Sequence, residues 1–262
     1  MTGSRLETYV RERLAGNRGI LLMTHLVVGY PSLEANRRML EIMADADVDL
    51  VELQMPFSEP IADGPIFVRA NQAALESGIT VDEYFEFFDD ARSICAFPRL
   101  MMGYYNPVFC LGHKLFCRRL ADAGGMGFIL PDLPHEEYDG LFELADDNCL
   151  APILLMTPTN STEHLRAIGG NARGFVYAVA RKGVTGCRTE MEEQLFRFID
   201  ACRHATGLPL ALGFGLRSGD DLTALRERVD IGIVGSALLE VWEQGGESAY
   251  TGLLTELAAA RG

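Results

Sequence analysis

Two carboxylates bracket a proline-rich loop: Glu52, near the C-terminal end of the apolar run Val48, Leu50, Val51 and Leu53, and Asp63, just ahead of Gly64 and Pro65. In a parallel sheet, polar side chains at the C-terminal ends of buried strands usually serve a ligand. Between the acids lie Met55, Pro56, Phe57, Pro60 and Ile61, a stretch too apolar for a plain solvent turn and too rich in proline for a helix. Such a segment can fold over a pocket. Two acids held at one pocket have their pKa values pushed apart by unequal burial, so that one trades protons while the other stays ionised. The same spacing admits a plainer arrangement, with Glu52 in a salt bridge and Asp63 capping the helix that opens near Pro65.

The elements that must position these acids alternate short apolar runs with longer amphipathic stretches, the pattern of parallel strands joined by helical crossovers. Eight runs qualify: Ile20–Val28, Asp49–Leu53, Arg99–Gly103, Gly127–Leu130, Pro152–Met156, Gly174–Val179, Leu208–Leu212 and Ile231–Val234. Helical segments follow them, among them Ser32–Ala46, Leu115–Ala123, Glu136–Asp146, Thr162–Ile168, Met191–His204 and Ser218–Glu227. Two further helical stretches lie outside this plan: Arg5–Leu14 at the start, and a doubled segment, Ile66–Ser77 then Val81–Ser93, after the second strand. Eight units predict a closed (β/α)8 barrel as one domain over residues 1–262. A doubly wound open sheet is the alternative, but GxGxxG is absent from the first strand-to-helix turn.

A barrel gives the late glycines a role, since phosphate commonly sits between the loops after the seventh and eighth strands. Gly213-Phe214-Gly215 follows the seventh run, Gly235-Ser236 the eighth, and Gly183 to Gly186 the sixth, with Arg181 and Lys182 adding local positive charge. Tyr104 and Tyr105 end the third strand and Tyr177 lies in the sixth; as bare tyrosines they read as core residues with satisfied hydroxyls. His25, alone in the first strand, reads as structural, and His135 as a capping or surface residue. The spacing shows no metal-ligand cluster and no serine elbow, which argues against metal catalysis and acyl transfer, and no lysine stands in a setting that would hold a cofactor.

Composition sets outer bounds. A formal net charge of -14 argues against nucleic acid and anionic membrane as partners, because a phosphate backbone is bound by a basic face. Six scattered cysteines read as free thiols in a reducing cytoplasm. The N-terminus lacks the apolar core of a signal peptide, and no apolar run is long enough to span a membrane.

The wording of the loop carries more. VELQMPFSEPIADGP closely resembles the signature of the tryptophan synthase alpha subunit family, a strand ending in glutamate, then PFSDP, then ADGP. Matching pieces continue in family order: GYP at Gly29–Pro31, GYYNPVF at Gly103–Phe109, PDLPHEE at Pro131–Glu137, GFVY and GVTG between Gly174 and Gly186, GFGLRS at Gly213–Ser218, and GSA at Gly235–Ala237. The resemblance implies a TIM barrel that cleaves indole-3-glycerol phosphate to indole and glyceraldehyde 3-phosphate without a cofactor. It also implies a beta-subunit partner in an α2β2 heterotetramer. By position, Glu52 matches the family's acid/base glutamate, Asp63 the aspartate that accepts from the indole N–H, and Tyr177 the tyrosine near the glutamate. Thr185 matches the threonine of the loop after the sixth strand, Phe214 an indole contact, and Gly186, Gly215, Gly235 and Ser236 the phosphate cradle. Tyr104 joins the substrate-binding set on the same basis.

Four positions depart from the family pattern: Gln54 replaces a glycine, Glu59 an aspartate, His25 an apolar or aromatic residue, and Val68 a polar one. The loop carrying Glu59 faces the beta subunit in the family complex. Three roles remain open at this point: an alpha subunit that passes indole to its partner, a stand-alone lyase that releases it, and a poorly active subunit that mainly activates a partner. The glycines and short polar residues of the segments Met55–Pro65 and Gly183–Cys187 predict loose packing and closure on substrate, bringing Thr185 to Asp63.

Overall fold

Nearly every residue of the strands is apolar, not every second one, because both faces of each strand are covered. The structure is a computed structural model that describes residues 4–16, 19–180, 188–213 and 215–262. Its strands are β1 Leu21–Val27, β2 Leu50–Gln54, β3 Arg99–Met102, β4 Gly127–Ile129, β5 Ala151–Met156, β6 Val176–Val179, β7 Leu210–Gly213 and β8 Ile231–Val234. All pair in parallel in sequence order, and β8 closes onto β1.

The helices before β3 are α1 Arg5–Ala15, α2 Leu33–Asp45, α3 Pro65–Glu76 and α4 Val81–Asp90. Those that follow are α5 Tyr105–Leu111, α6 His113–Asp122, α7 Leu141–Asp147, α8 Thr162–Asn171, α9 Arg188–Ala205, α10 Gly219–Thr223 and α11 Ser236–Ala259. Their starts are written locally. Ser4, Ser32, Ser161 and Ser218 each accept a backbone N–H of the first turn, Thr80 and Glu83 form a reciprocal capping box, and Pro65 opens α3 where its missing donor costs nothing. Both supernumerary helical stretches are present, as α1 and as α3 with α4. Among the described residues, no helix is long and apolar enough to cross a membrane, and Cys95, Cys110, Cys117, Cys149 and Cys202 are free thiols.

Three expected elements differ. The third strand stops at Met102, and Tyr104 and Tyr105 instead open α5, a helix that the Asn-Pro pair concealed because proline sits harmlessly in a first turn. The expected helix Glu136–Asp146 is split into a 3-10 turn, His135–Glu137, and α7; Gly140 between them has φ +71°, which no right-handed helix can carry. The helix expected to reach Glu227 ends at Thr223, beyond which Leu225 and Arg226 bond three residues back rather than four.

Side chains alternate between the barrel interior and the surrounding helices. Leu21, Met23, Leu50, Leu100, Ile153 and Ile231 fill the interior, while Leu22, Val51, Leu53, Met101 and Val176 pack outward. Helix α1 seals the N-terminal end, where Leu6 and Val10, both fully buried, join the interior cluster. Beside it Asp49 is fully buried. Its carboxylate accepts from Arg13 (2.9 and 2.7 Å), from the Leu22 amide (2.9 Å) and from Arg261 (2.9 Å), so one charge ties α1, the start of β2 and the C-terminus together. Asp49→Ala should destabilise the fold by about 3–5 kcal/mol, because Arg261 stays buried without its counter-charge; urea unfolding of the variant measures it.

Candidate active site

The two-residue period of β1 and β2 puts His25, Glu52 and Gln54 on the inner face, above the apolar layer of Met23 and Leu50, and the register sets His25 directly beside Glu52. All three are buried. Glu52 Oε2 meets His25 Nδ1 at 3.0 Å, and His25 Nε2 meets Gln54 Oε1 at 2.8 Å. Gln54 Nε2 then donates to Asp63 Oδ2 at 2.7 Å. The second oxygen of Glu52, Oε1, is buried without a hydrogen-bond partner in the protein. A buried, unpaired acceptor costs roughly 1–3 kcal/mol, and this one belongs to a residue that lines a cavity of about 240 Å³.

Asp63 does not cap α3. Gly64 holds the cap position, with no side-chain bond, and Asp63 points instead toward Gln54, with Asn71 Nδ2 a more distant donor at 3.4 Å. Glu52 does have an ionisable neighbour in His25, the kind of contact the plainer arrangement required, but that contact occupies only one of its oxygens. The segment Met55–Pro65 is better held than its composition suggests. Met55 is buried and bonded to β3, the Phe57 amide donates to Asn71 (3.0 Å), and the Ala62 amide donates to the Tyr104 hydroxyl (3.1 Å). Tyr104 also stacks on Phe57 and hydrogen-bonds Asp63, so it is almost wholly buried and spends its hydroxyl on this segment. Ser58, Glu59, Ile61, Ala62, Gly64 and Pro65 stand out to solvent there.

Electrostatics follow from this packing. Burial raises the Asp63 carboxyl, against the lowering effects of His25, Gln54, Tyr104 and Asn71. Burial by itself would lower His25, but the hydrogen bond and charge of Glu52, reinforced by Asp63, outweigh it and leave the imidazole raised. Tyr177, inside the barrel on β6, is pushed well above its ordinary value by burial and by the charges of Glu52 and Asp63, which keeps its hydroxyl protonated.

The cavity has apolar walls from Met102, Ile129 and Leu155, and Glu52, Asp63 and Tyr177 supply its polar groups. A second hollow of about 150 Å³ adjoins it, sharing His25, Phe67, Tyr177, Val179 and Ser236, and is lined by Gly213, Gly215 and Gly235. These glycines are needed there. A Cβ at Gly235 would meet Phe67 at 3.0 Å, one at Gly213 would meet the Tyr177 ring at 2.8 Å, and Gly215 has φ +68°. Ser236 opens α11, so a helix N-terminus faces the hollow. The pair suits a ligand with a planar apolar end and an anionic end. Thr185, Gly186 and Phe214, with Arg181 and Lys182, lie outside the described residues.

Sequence reasoning missed the part played by His25 and Gln54, read as a structural histidine and as a departure from pattern. The available signal was their shared period with Glu52. Glu59 and Val68, the other two departures, are exposed. Among the described residues one group could hold a metal: the adjacent His135 and Glu136 after β4 meet His164, distant in sequence, on α8. Its acid is already shared, one oxygen 3.1 Å from His135 and the other 3.5 Å from His164. His135 is therefore a member of this cluster, with a side chain only 8% exposed, rather than a plain surface residue.

Known proteins share this fold and much of this sequence. A model of the family described as tryptophan synthase alpha chain matches residues 12–261. A tryptophan synthase alpha chain from Syntrophotalea carbinolica is 43% identical over 96% of this chain and 99% of its own. One from Desulforapulum autotrophicum is 44% identical over 97% of this chain and 100% of its own. A solved structure of Mycobacterium tuberculosis tryptophan synthase superposes with a TM-score of 0.90 at 33% identity, covering 99% of each chain.

Because the folded state raises His25, the imidazolium contributes stability that is fully present below the ordinary histidine range, about pH 6.5, and is lost as pH rises through the higher value of the folded state. Unfolding free energy measured by denaturant titration should therefore fall across that window in the natural chain. His25→Phe should flatten this part of the curve.

Proposed function

The chain belongs to the tryptophan synthase alpha chain family and so cleaves indole-3-glycerol phosphate in tryptophan biosynthesis, a lyase activity; we propose that Glu52 moves the protons of that reaction. The observation that carries this is the buried, unpartnered Oε1 of a glutamate that lines the cavity. The carbon–carbon bond breaks only when indole C3 is protonated and the adjacent glycerol hydroxyl loses its proton. Glu52 Oε1 donates to C3, generating an indoleninium cation. The hydroxyl then returns a proton to Oε1 as the carbonyl forms, and the electron pair of the broken bond restores the indole ring. No proton is gained or lost overall.

Asp63 accepts the indole N–H and stabilises the cation, an effect strengthened where water is excluded. Gln54 aims its carboxylate and Tyr104 braces it. Tyr177, beside Glu52 in the cavity, is a protonated hydroxyl available to the reacting glycerol oxygens. The phosphate occupies the hollow of Gly215, Gly235 and Ser236, where backbone amides and the start of α11 offer donors without side-chain bulk. Thr185, Gly186 and Phe214 complete the set by the family resemblance.

A beta-subunit partner goes with this family, and we propose an α2β2 assembly. Ile61 and Phe109 are 75% and 66% exposed, on two segments joined through the Tyr104–Ala62 bond, and Glu59 stands beside Ile61. Large apolar side chains set out beside the mouth are what a partner would cover. The stand-alone and non-catalytic roles have no observation in their favour.

Three measurements test these assignments. Glu52→Gln should keep the fold and lose roughly 10²- to 10⁴-fold of lyase turnover, and a folded variant with near-normal turnover removes Glu52 from the mechanism. Ser236→Asp should raise KM for indole-3-glycerol phosphate far more than it disturbs the unfolding midpoint; an unchanged KM puts the phosphate elsewhere. Ile61→Asp should weaken association with a beta subunit by at least about tenfold in a calorimetric titration, or the partner face lies away from this loop.

A further inference from the structure

His25 and Gln54 join the two acids by three contacts: Glu52 Oε2 to His25 Nδ1 (3.0 Å), His25 Nε2 to Gln54 Oε1 (2.8 Å) and Gln54 Nε2 to Asp63 Oδ2 (2.7 Å). Donor and acceptor chemistry fixes how many protons this chain must hold. Ionised carboxylate oxygens only accept, an amide has one donating and one accepting end, and a neutral imidazole has one nitrogen of each kind. With Gln54 donating to Asp63, the amide oxygen faces His25 Nε2, so that nitrogen carries hydrogen. The contact between Nδ1 and Oε2 then lacks a donor until one more proton is present, on the ring or on the carboxyl. Turning the amide over does not remove the need. Gln54 Oε1 would then face Asp63 Oδ2, and the extra proton would be required there instead. Every fully bonded arrangement holds one proton more than a neutral imidazole between two carboxylates.

We infer that His25 and Gln54 bind Glu52 and Asp63 into one proton-sharing unit, in which His25 is a positioning residue that holds a proton against Glu52 Oε2 and leaves Oε1 to exchange with substrate. This deepens the reading of Glu52 as acid and base, and rests on it. His25, Glu52 and Gln54 are 8%, 1% and 0% exposed, so a mismatched pair of acceptors inside the chain has little access to water and would be costly. The ring is also fixed from outside, with Phe67 of α3 at 4.5 Å between centroids and Gly235, after β8, close to the His25 Cβ. Among the described residues, the titratable groups facing the ring and the two acids are Glu52 from β2, Asp63 from the loop, Tyr104 ahead of α5 and Tyr177 from β6. During turnover the proton on His25 stays in place. Glu52 Oε1 releases one proton to C3 and recovers one from the hydroxyl, while the bond from Nδ1 stabilises the carboxylate present between the two steps. Gln54 transmits the charge of Asp63 to the far side of the ring, so that binding at one acid is felt at the other.

Nitrogen-15 NMR of the full chain, with labelled histidine rings, reads the proton directly and needs no turnover. His25 should keep both ring nitrogens protonated through and above the ordinary histidine range, and Gln54→Leu should shift its titration downward. In the lyase pH profile, an alkaline limb should mark loss of the shared proton. His25→Gln, which can still offer Glu52 an N–H but cannot titrate, should lose that limb while KM stays near its original value. A natural chain whose His25 titrates at or below the ordinary range overturns the inference, as does a titration unmoved by Gln54→Leu. Should His25→Gln fail to fold, the NMR arms decide alone. A Glu52→Gln variant that retains lyase activity would overturn the proton-transfer role of Glu52 without altering the NMR result, so the two failures are distinguishable.

Discussion

A carboxylate buried inside a barrel has to be compensated, and the catalytic end of this protein is arranged around that need. Glu52 is 1% exposed, above an interior filled with leucine, isoleucine and methionine. Burial strips it of most of its hydration, so one oxygen is met by the imidazole of His25, while the other has no hydrogen-bond partner among the described residues. Everything nearby adjusts to that carboxylate. His25 needs an acceptor on its far side, Gln54 supplies it, and the amide end of Gln54 then fixes Asp63. Poor solvation is expensive for stability and useful for chemistry, because a charge that water cannot screen acts strongly on a cation forming beside it.

The opposite end of the barrel treats a buried acid differently. Asp49 is fully buried, yet its carboxylate takes hydrogen bonds from two arginines and a backbone amide. With its charge compensated by the arginines it works as a clamp, holding α1 and the C-terminus against the barrel floor. One strand, β2, thus begins beside an acid whose described partners are structural and carries toward its other end an acid with an oxygen left open. The contrast identifies the working end without reference to any relative. It also matches the general division of this fold, in which the N-terminal face serves stability and the C-terminal face serves function.

The glycine-lined hollow shows how packing shapes both recesses with the same residues. Gly213 and Gly235 are small because Tyr177, Phe67 and His25 occupy the space that a side chain would take. Those same rings wall the adjoining cavity. Glycine at these turns therefore exposes backbone toward the hollow and lets the aromatic groups close the acid site, so one set of close approaches shapes both recesses.

Periodicity in the chain was enough for the barrel: eight apolar runs with amphipathic stretches between them have few ways to bury both faces of every strand. The places of both acids and of the glycine turns were also legible, since a carboxylate at a strand end and paired glycines after the last two strands are local patterns. The α5 helix was hidden by Asn-Pro, and the break at Gly140 by apolar residues on either side, because local signals there conflict with what neighbouring elements permit. Which oxygen of Glu52 is free, and that Asp63 turns toward Gln54 and not to the end of α3, depended on strand register and on where Gly64 placed the cap. A sequence states which groups are present and on which face; the pairing of donors with acceptors is settled only when β1 and β2 lie side by side, because a hydrogen bond depends on ångström-scale distance and angle.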